Sequence, residues 1–474
     1  MPSFFKRNKA SSSEKDPAPP EALSHDVPDL PAGMSQRRPD LPAGGRMPRN
    51  PSNLSFGMFA NQTTAEVRKQ PRPFKSYRLR GERELPWKDD PRMKKTRVGN
   101  WITSTFIIIG LGLSGYLMYT GVLKAKIPAQ CLIMEDRFEK IDPANWGYEI
   151  QTGGYGNGEF DWTTDDPKNS YVDAEGLHIV PTLTTESTNI TPEQILNGYT
   201  LNITKAGGDG SCTSTDYKSC SIRSNATTGA TIPPVRSARL TTKGKKSIKY
   251  GRVEVVAKTS KGDWLWPAIW MMPENSVYGA WPRSGEIDIA EFRGNAWPYP
   301  EGNDFVSSTL HWGPDSKHDG YINTHGTSFF RRETFASSFH TFGLEWTEKY
   351  LFLYLDSRLK QVMYFRFNQE SSLWKKGGFA GATTSNGTLV ENPWVKGGPN
   401  APFDESFYLI LNVAVGAQNG WFFDGEGNKP WVDGSDFAVR DFWNAKDQWL
   451  PTWGEGAARG MTVKSVKMWK AGNC

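Results

Sequence analysis

The sequence predicts an all-β fold, a sandwich of packed sheets, preceded by a disordered tail and one transmembrane helix. Three observations lead there. From Asp136 onward the chain reads as short apolar or alternating runs between turn residues, with no sustained helical period. The first hundred residues hold 14 of the 32 prolines, few aliphatics and no cysteine. Between these two regions, Ile102 to Val122 is an uncharged apolar run of 21 residues.

Residues 1–100 are expected to form a basic, Pro-rich cytosolic tail. Such a segment cannot bury enough apolar surface to offset the entropy of ordering it. It repeats P-D-L-P-A-G at Pro28 and Pro39, which is too short for a solenoid. The tail carries 20 Lys/Arg against 11 Asp/Glu, net +9, leaving 36 against 40, net −4, for the remainder of a chain whose total is +5. No groove-reading motif or aromatic interleaving accompanies the basic residues, so a solvated tail is expected and nucleic acid is not a partner.

Residues 101–122 follow as the membrane span. As a helix, the uncharged run would be about 31 Å long, which matches one bilayer core. A buried core helix would be shorter, and a cleaved signal peptide would begin near the N-terminus. The twenty residues before the run hold six Lys/Arg and the twenty after Val122 hold four. The positive-inside rule therefore predicts a single-pass type II protein, with the span acting as a signal anchor and the C-terminal part lumenal or extracellular. Gly110, Gly112 and Gly115 lack the four-residue spacing of a helix-dimer motif, so no oligomer is inferred. Sequons at Asn189, Asn202, Asn225 and Asn386 lie beyond the span and are glycosylation candidates. Those at Asn53 and Asn61 precede it and should stay unmodified.

All four cysteines also lie beyond the span, an even number in a compartment that permits disulfides. Three connectivities are possible. The expected one joins Cys212 to Cys220 across a polar Gly/Ser/Thr loop and Cys131 to Cys474 between the ends of the domain. Free thiols are the alternative. A zinc set is not expected, because there is no C-x-x-C pair and the histidines are scattered.

The globular region, residues 131–474, is expected to contain strands at 177–180, 199–204, 237–241 and 249–259. In the last of these Val253, Val255 and Ala257 share one face, which should be core. Further strands are expected at 267–272, through the acidic stretch, and at 305–311, 339–346, 350–356, 361–367, 407–415 and 461–469. Residues 425–454, rich in Trp, Asp and Gly, read as a long loop over the sandwich.

The stretch Ser284 to Gly294, S-G-E-I-D-I-A-E-F-R-G, holds the candidate chemistry. Side chains alternate along a strand, so Glu286 and Asp288 share a face while Glu291 has the wrong parity. A one-residue bulge at Ile289 or Ala290 would restore it. With a rise of about 3.3 Å per residue the outer glutamates have backbones roughly 13 Å apart, and inward-leaning side chains could close most of that gap. A retaining glycosidase needs two carboxyls about 5 to 5.5 Å apart, one attacking the sugar and one protonating the leaving oxygen. The central Asp can hydrogen-bond the nucleophile and, by repulsion, keep the other carboxyl protonated. A solvent-facing acidic edge or a carboxylate metal site are the plain alternatives. Trp264, Trp266, Trp270, Trp281, Trp297 and His311-Trp312 near the acids favour carbohydrate.

The runs G-D-W-L-W-P-A-I-W-M-M-P, W-P-R-S-G-E-I-D-I-A-E-F-R-G-N and L-H-W-G, in this order, resemble the laminarinase-type branch of glycoside hydrolase family 16. That branch contains endo-β-1,3-glucanases and β-glucan recognition proteins. The resemblance implies a concanavalin-like β-jelly roll that cleaves internal β-1,3-linkages of β-glucan with retention. It makes Glu286 the nucleophile, Asp288 its helper and Glu291 the acid/base. Trp281 and Trp270 are the first candidates for sugar contact because they flank the acids, with Trp266 after them. Arg283 could neutralise the acidic strand or donate to sugar hydroxyls. His311, in L-H-W-G, and Asn412, in L-I-L-N-V-A-V-G, match family segments and are expected in the cleft.

The run Ala414-Val415-Gly416-Ala417-Gln418, then Asn419-Gly420-Trp421, departs from family members that follow A-V-G with another glycine, leaving that loop's shape open. No cofactor is required, and a structural calcium, found in some relatives, is not assignable to particular acids. Two rival functions stand beside hydrolysis: a non-catalytic β-glucan-binding protein, from members that have lost the glutamates, and a wall-assembling transglycosylase, suggested by the anchor.

Overall fold

The computed structural model describes residue 77 and residues 81–82, 84–124, 129–367 and 372–474. The P-D-L-P-A-G repeat, Asn53, Asn61 and most of the predicted tail lie outside these residues. By internal contacts the chain divides into a unit Met1–Val98 and a unit Gly99–Cys474.

Where the tail was expected to run to residue 100, a short 3₁₀ turn occupies Pro86–Asp89 and a helix spans Met93–Lys124. The helix starts ahead of the apolar run because Lys94, Lys95 and Arg97 are good helix formers and continue it N-terminally. Its 32 residues make about 48 Å of helix, and it is long and apolar enough to cross a membrane. Phe106, Ile108, Leu111 and Met118 along it are exposed.

Beyond residue 128 two eight-stranded antiparallel sheets dominate. In one, the order is His325–Phe329, Phe305–His311, Glu286–Glu291, Leu265–Pro273, Phe407–Val415, Arg239–Thr241 and Gly147–Tyr148, with Ser247–Ile248 also pairing with Phe407–Val415. In the other it is Gln361–Arg366, Tyr350–Leu355, His340–Trp346, Gly251–Lys258, Met461–Ala471, Gly176–Ile179 and Ser170–Asp173, with Gln130–Asp136 pairing with Met461–Ala471. This is an all-β sandwich.

The inner faces follow from period-2 patterning. Val253, Val255 and Ala257 of one sheet and Ile269, Met271, Ile287 and Leu310 of the other are all fully buried. Each of these Val, Ile, Leu and Met side chains contributes about 1.5–3 kcal/mol relative to exposure. Strand Phe407–Val415 is buried along its whole length, between strands on both sides.

Both predicted disulfides form, Cys131–Cys474 and Cys212–Cys220. The first ties the strand Gln130–Asp136 to the chain's last residue.

Several elements differ from expectation. The predicted strand 237–241 is two strands, Val235–Ser237 in a small third sheet and Arg239–Thr241 in the large one. The predicted 199–204 strand shortens to Thr200–Asn202 and pairs only with Ser221–Arg223. The expected loop 425–454 contains helices Ala438–Asn444 and Lys446–Trp449. They are too short to show a helical period, and they form because Phe442, Trp443 and Trp449 are buried there, Phe442 stacking on Trp449 at 4.3 Å. Strand His325–Phe329, with its Gly and Ser, carries too weak a β signal to be read from sequence.

Candidate active site

The strand Glu286–Glu291 lies between Phe305–His311 and Leu265–Pro273, and its register decides where its acids point. On one side Trp270 opposes Asp288, Ile269 opposes Ala290 and Ala268 opposes Glu291, so Ile289 has no partner. On the other side Glu286 opposes His311, Asp288 opposes Thr309 and Glu291 opposes Ser307. The predicted bulge is therefore present at Ile289. It returns Glu291 to the face of Glu286 and Asp288, while Ile287 packs into the core.

That outer face is recessed, since Asp288 is 2% and Glu291 9% exposed. Aromatic side chains close over the carboxyls. Trp281 donates its Nε1–H to Glu286, and Trp266 donates to Glu291 Oε1 at 3.1 Å. Trp421 stacks on Trp266, ring centroids 4.8 Å apart. Behind it Arg293 lies over the Trp421 ring at 4.1 Å, donates to the Trp421 carbonyl at 2.7 Å and pairs with Glu301 at 2.9 Å. The indole that holds Glu291 is thus itself clamped.

Burial pushes the Glu291 carboxyl up to about 8, the Asp288 charge adding to it, while His311, the Trp266 hydrogen bond and Arg293 oppose the shift. Burial also pushes Glu286 well above the usual carboxylate range. Asp288 and Glu291 reinforce that shift, and His311 and Trp281 oppose it. Burial and the neighbouring negative charge therefore favour the protonated forms of Glu286 and Glu291. Burial alone would lower the His311 pKa, but Asp288 and Asp319 outweigh it and raise it well above the ordinary value. Its Nε2 lies 3.3 Å from Asp288 Oδ2, and its Nδ1 is hydrogen-bonded to Asp319. A cationic imidazole therefore sits beside the acids.

The structure brings Trp266, Trp270, Trp281 and His311 to this face with the three acids. His311 stands across from Glu286 rather than beside Glu291. Asn412 is 5% exposed and accepts from Trp270 Nε1 at 2.8 Å, so it orients that indole instead of opening to solvent. Arg239 lies over the same ring at 4.5 Å and over the Tyr155 ring at 3.9 Å. Arg283 is exposed, donates from Nε to the Pro314 carbonyl at 2.6 Å, and makes no ion pair with the acids among the described residues. The expected neutralisation of the acidic strand by an ion pair is therefore not seen among the described residues. Sequence reasoning missed Asp319, Arg239 and the stacking of Trp421, whose only signal was its place in the unusual loop after Gly416.

Among the described residues no three His, Cys, Asp or Glu side chains converge to hold a metal ion. Asn189, Asn225 and Asn386 are exposed, whereas Asn202 is half-buried, its Oδ1 accepting from the Thr204 hydroxyl at 2.7 Å.

The profile of glycosyl hydrolases family 16 matches residues 209–374. A β-1,3-glucan-binding protein of Penaeus monodon is 42% identical over 346 residues, covering 72% of this chain and 90% of that protein. The chain belongs to glycosyl hydrolases family 16. Another family relative, glucan endo-1,3-β-glucosidase A1 of Niallia circulans, is 32% identical over 308 residues, 62% of this chain but only 34% of that protein. Among solved structures, the catalytic domain of an endo-1,3-β-glucanase (laminarinase) from Thermotoga petrophila RKU-1 aligns over 73% of this chain and 100% of its own, at 22% identity and a TM-score of 0.44. Within this family 16 chain the acids lie on a single strand, closed in by aromatic side chains that reach the site from segments as distant as Trp421.

Proposed function

We propose that this protein is a membrane-anchored, retaining endo-glycosidase that cleaves β-1,3-linkages of β-glucan. The observation that carries the reading is the bulge at Ile289, which puts Glu286, Asp288 and Glu291 on one recessed face. Glu286, whose ionised form His311 and the Trp281 hydrogen bond favour against its burial, attacks the anomeric carbon while Glu291, held protonated by its burial, gives its proton to the leaving oxygen. Glu291, now a base, then takes a proton from the incoming water as the water oxygen bonds to the anomeric carbon and the glycosyl–Glu286 bond breaks. Asp288, paired with cationic His311, keeps Glu286 oriented. Trp281, Trp270 and Trp266 supply faces for sugar rings. In this reading the helix Met93–Lys124 is the anchor of a type II protein, with the sandwich on the lumenal or extracellular side.

A second reading is recognition without turnover. The Penaeus monodon relative is named as a glucan-binding protein, and its similarity extends over most of this chain. The retained Glu286 and Glu291, and the raised pKa of Glu291, favour the enzyme. Transglycosylation differs from hydrolysis only in the acceptor.

The deciding experiment incubates the full chain in detergent with reduced laminarin and with mixed-linkage glucan, following product size and anomeric configuration by NMR. Shorter products with initial β-configuration are expected. Glu286→Gln should lower turnover by about 10³-fold or more with the fold intact, and retained activity would remove Glu286 from its role. Products longer than the substrate would establish transglycosylation, and binding without turnover the recognition reading.

A further inference from the structure

Beyond the strand that carries the acids, a separate cavity of about 560 Å³ opens at the surface. It is lined by Lys261–Asp263, Gly294–Tyr299, Glu426–Asn428 and Pro451-Thr452, and none of Glu286, Asp288 and Glu291 reaches it. Gly294 lies three residues past Glu291, where the strand has already ended.

Two features of this cavity call for a ligand. Trp297 at its wall is 84% exposed, a large indole with almost no protein partner. Asp263 is half-buried at the same wall and forms no ion pair among the described residues. Burial raises its pKa against the Thr452 hydrogen bond. An open aromatic face beside a few convergent polar groups suits a pyranose, whose C–H face is apolar and whose rim is hydroxyl.

Two points of the cavity wall are packed so closely that only glycine fits them. A Cβ on Gly294 would fall 2.3 Å from the Gly262 carbonyl oxygen, and one on Gly427 2.5 Å from the Tyr299 ring.

We infer that this cavity is a second glucan-binding site, in which Trp297 stacks on a sugar ring and Asp263 accepts from its hydroxyls. The inference rests on β-glucan being the ligand of the cleft. A polymer held at two points on one protein binds with an avidity neither site has alone, which suits an insoluble or multi-chain substrate. A short oligosaccharide fills only one site and gains nothing from the other.

The test uses the full chain in detergent, wild type and Trp297→Ala, with Asp263→Asn as a second variant of nearly unchanged volume. Retention on insoluble β-1,3-glucan particles is measured beside cleavage of a short reduced laminari-oligosaccharide. Trp297→Ala should weaken retention about tenfold or more while oligosaccharide cleavage stays within about twofold, and Asp263→Asn should weaken retention less strongly, with cleavage again within about twofold. Since Trp297 packs against little, its truncation should leave the thermal midpoint nearly unchanged. Retention equal to wild type would overturn the second site. A parallel loss of retention and cleavage would overturn it too, by making Trp297 part of the cleft. If the wild type neither retains nor cleaves glucan, the proposed function fails as well, which separates the two conclusions.

Discussion

Glu291 concentrates the residue-scale argument, because one carboxyl carries both the proposed chemistry and a stability consequence. Its proton is held in the folded state up to about pH 8, against about 4.5 for an exposed glutamate. The kcat/KM profile should therefore lose activity on its alkaline side near pH 8, and an alkaline limb more than about two pH units higher would contradict the assignment. For a carboxyl whose folded pKa is raised, the folded state binds more protons than the unfolded one between the two values. Stability is fully present below the unfolded value and falls as pH rises through the folded one. Glu291→Gln is neutral at every pH and escapes this loss. Its thermal midpoint should gain on the wild type steadily from about pH 5 to pH 9, and a constant difference between them would show that Glu291 is not buried with its proton.

For the strand Glu286–Glu291, the governing fact is parity. With the bulge at Ile289, the acids at 286, 288 and 291 share a face, whereas a regular strand would turn Glu291 into the core. Deleting Ala290 leaves E-I-D-I-E, in which strict alternation puts all three acids on the outer face with no bulge at all. This variant should fold and keep turnover well above that of Glu286→Gln. Activity as low as that of Glu286→Gln would mean that the bulge also sets the spacing between the carboxyls. The neighbouring strands matter as much as the sequence of this one, since Trp266 and Trp270 come from Leu265–Pro273 and His311 from Phe305–His311.

At the scale of the whole molecule, the proposed topology puts the sandwich and the tail on opposite sides of a membrane. Glycosidase treatment of protein from a eukaryotic secretory host should shift its gel mobility. That shift should survive Asn53→Gln/Asn61→Gln and disappear when Asn189, Asn202, Asn225 and Asn386 are all replaced by Gln. The reverse pattern would invert the topology. Exposure ranks the sites, because Asn202 already accepts the hydroxyl of its own sequon's Thr204 and should be the least modified. The disulfide Cys131–Cys474 acts at the same scale, closing nearly the whole globular chain into a loop. In the chain-entropy account, such a long loop gives one of the larger stabilisations a disulfide can provide.

The sequence by itself determined whatever depends on neighbours along the chain. Strand faces at Val253, Val255 and Ala257, the need for a bulge near Ile289 and the apolar run before Lys124 are properties of period and local composition, so they could be read directly. The pairing Cys212–Cys220 was legible for the same reason, and Cys131–Cys474 because no other cysteines remained. Only the tertiary structure decided which distant segments meet. Asp319 holds His311, Trp421 clamps Trp266, and Asn412 turns inward to Trp270, each through strand register and loop closure that leave no periodic trace. The short helices after Ala438 belong here too, because burial of Phe442 and Trp449 rather than helical propensity produces them. The acids could be named from eleven residues, but the environment that sets their protonation is assembled from segments more than a hundred residues apart, and only packing brings those together.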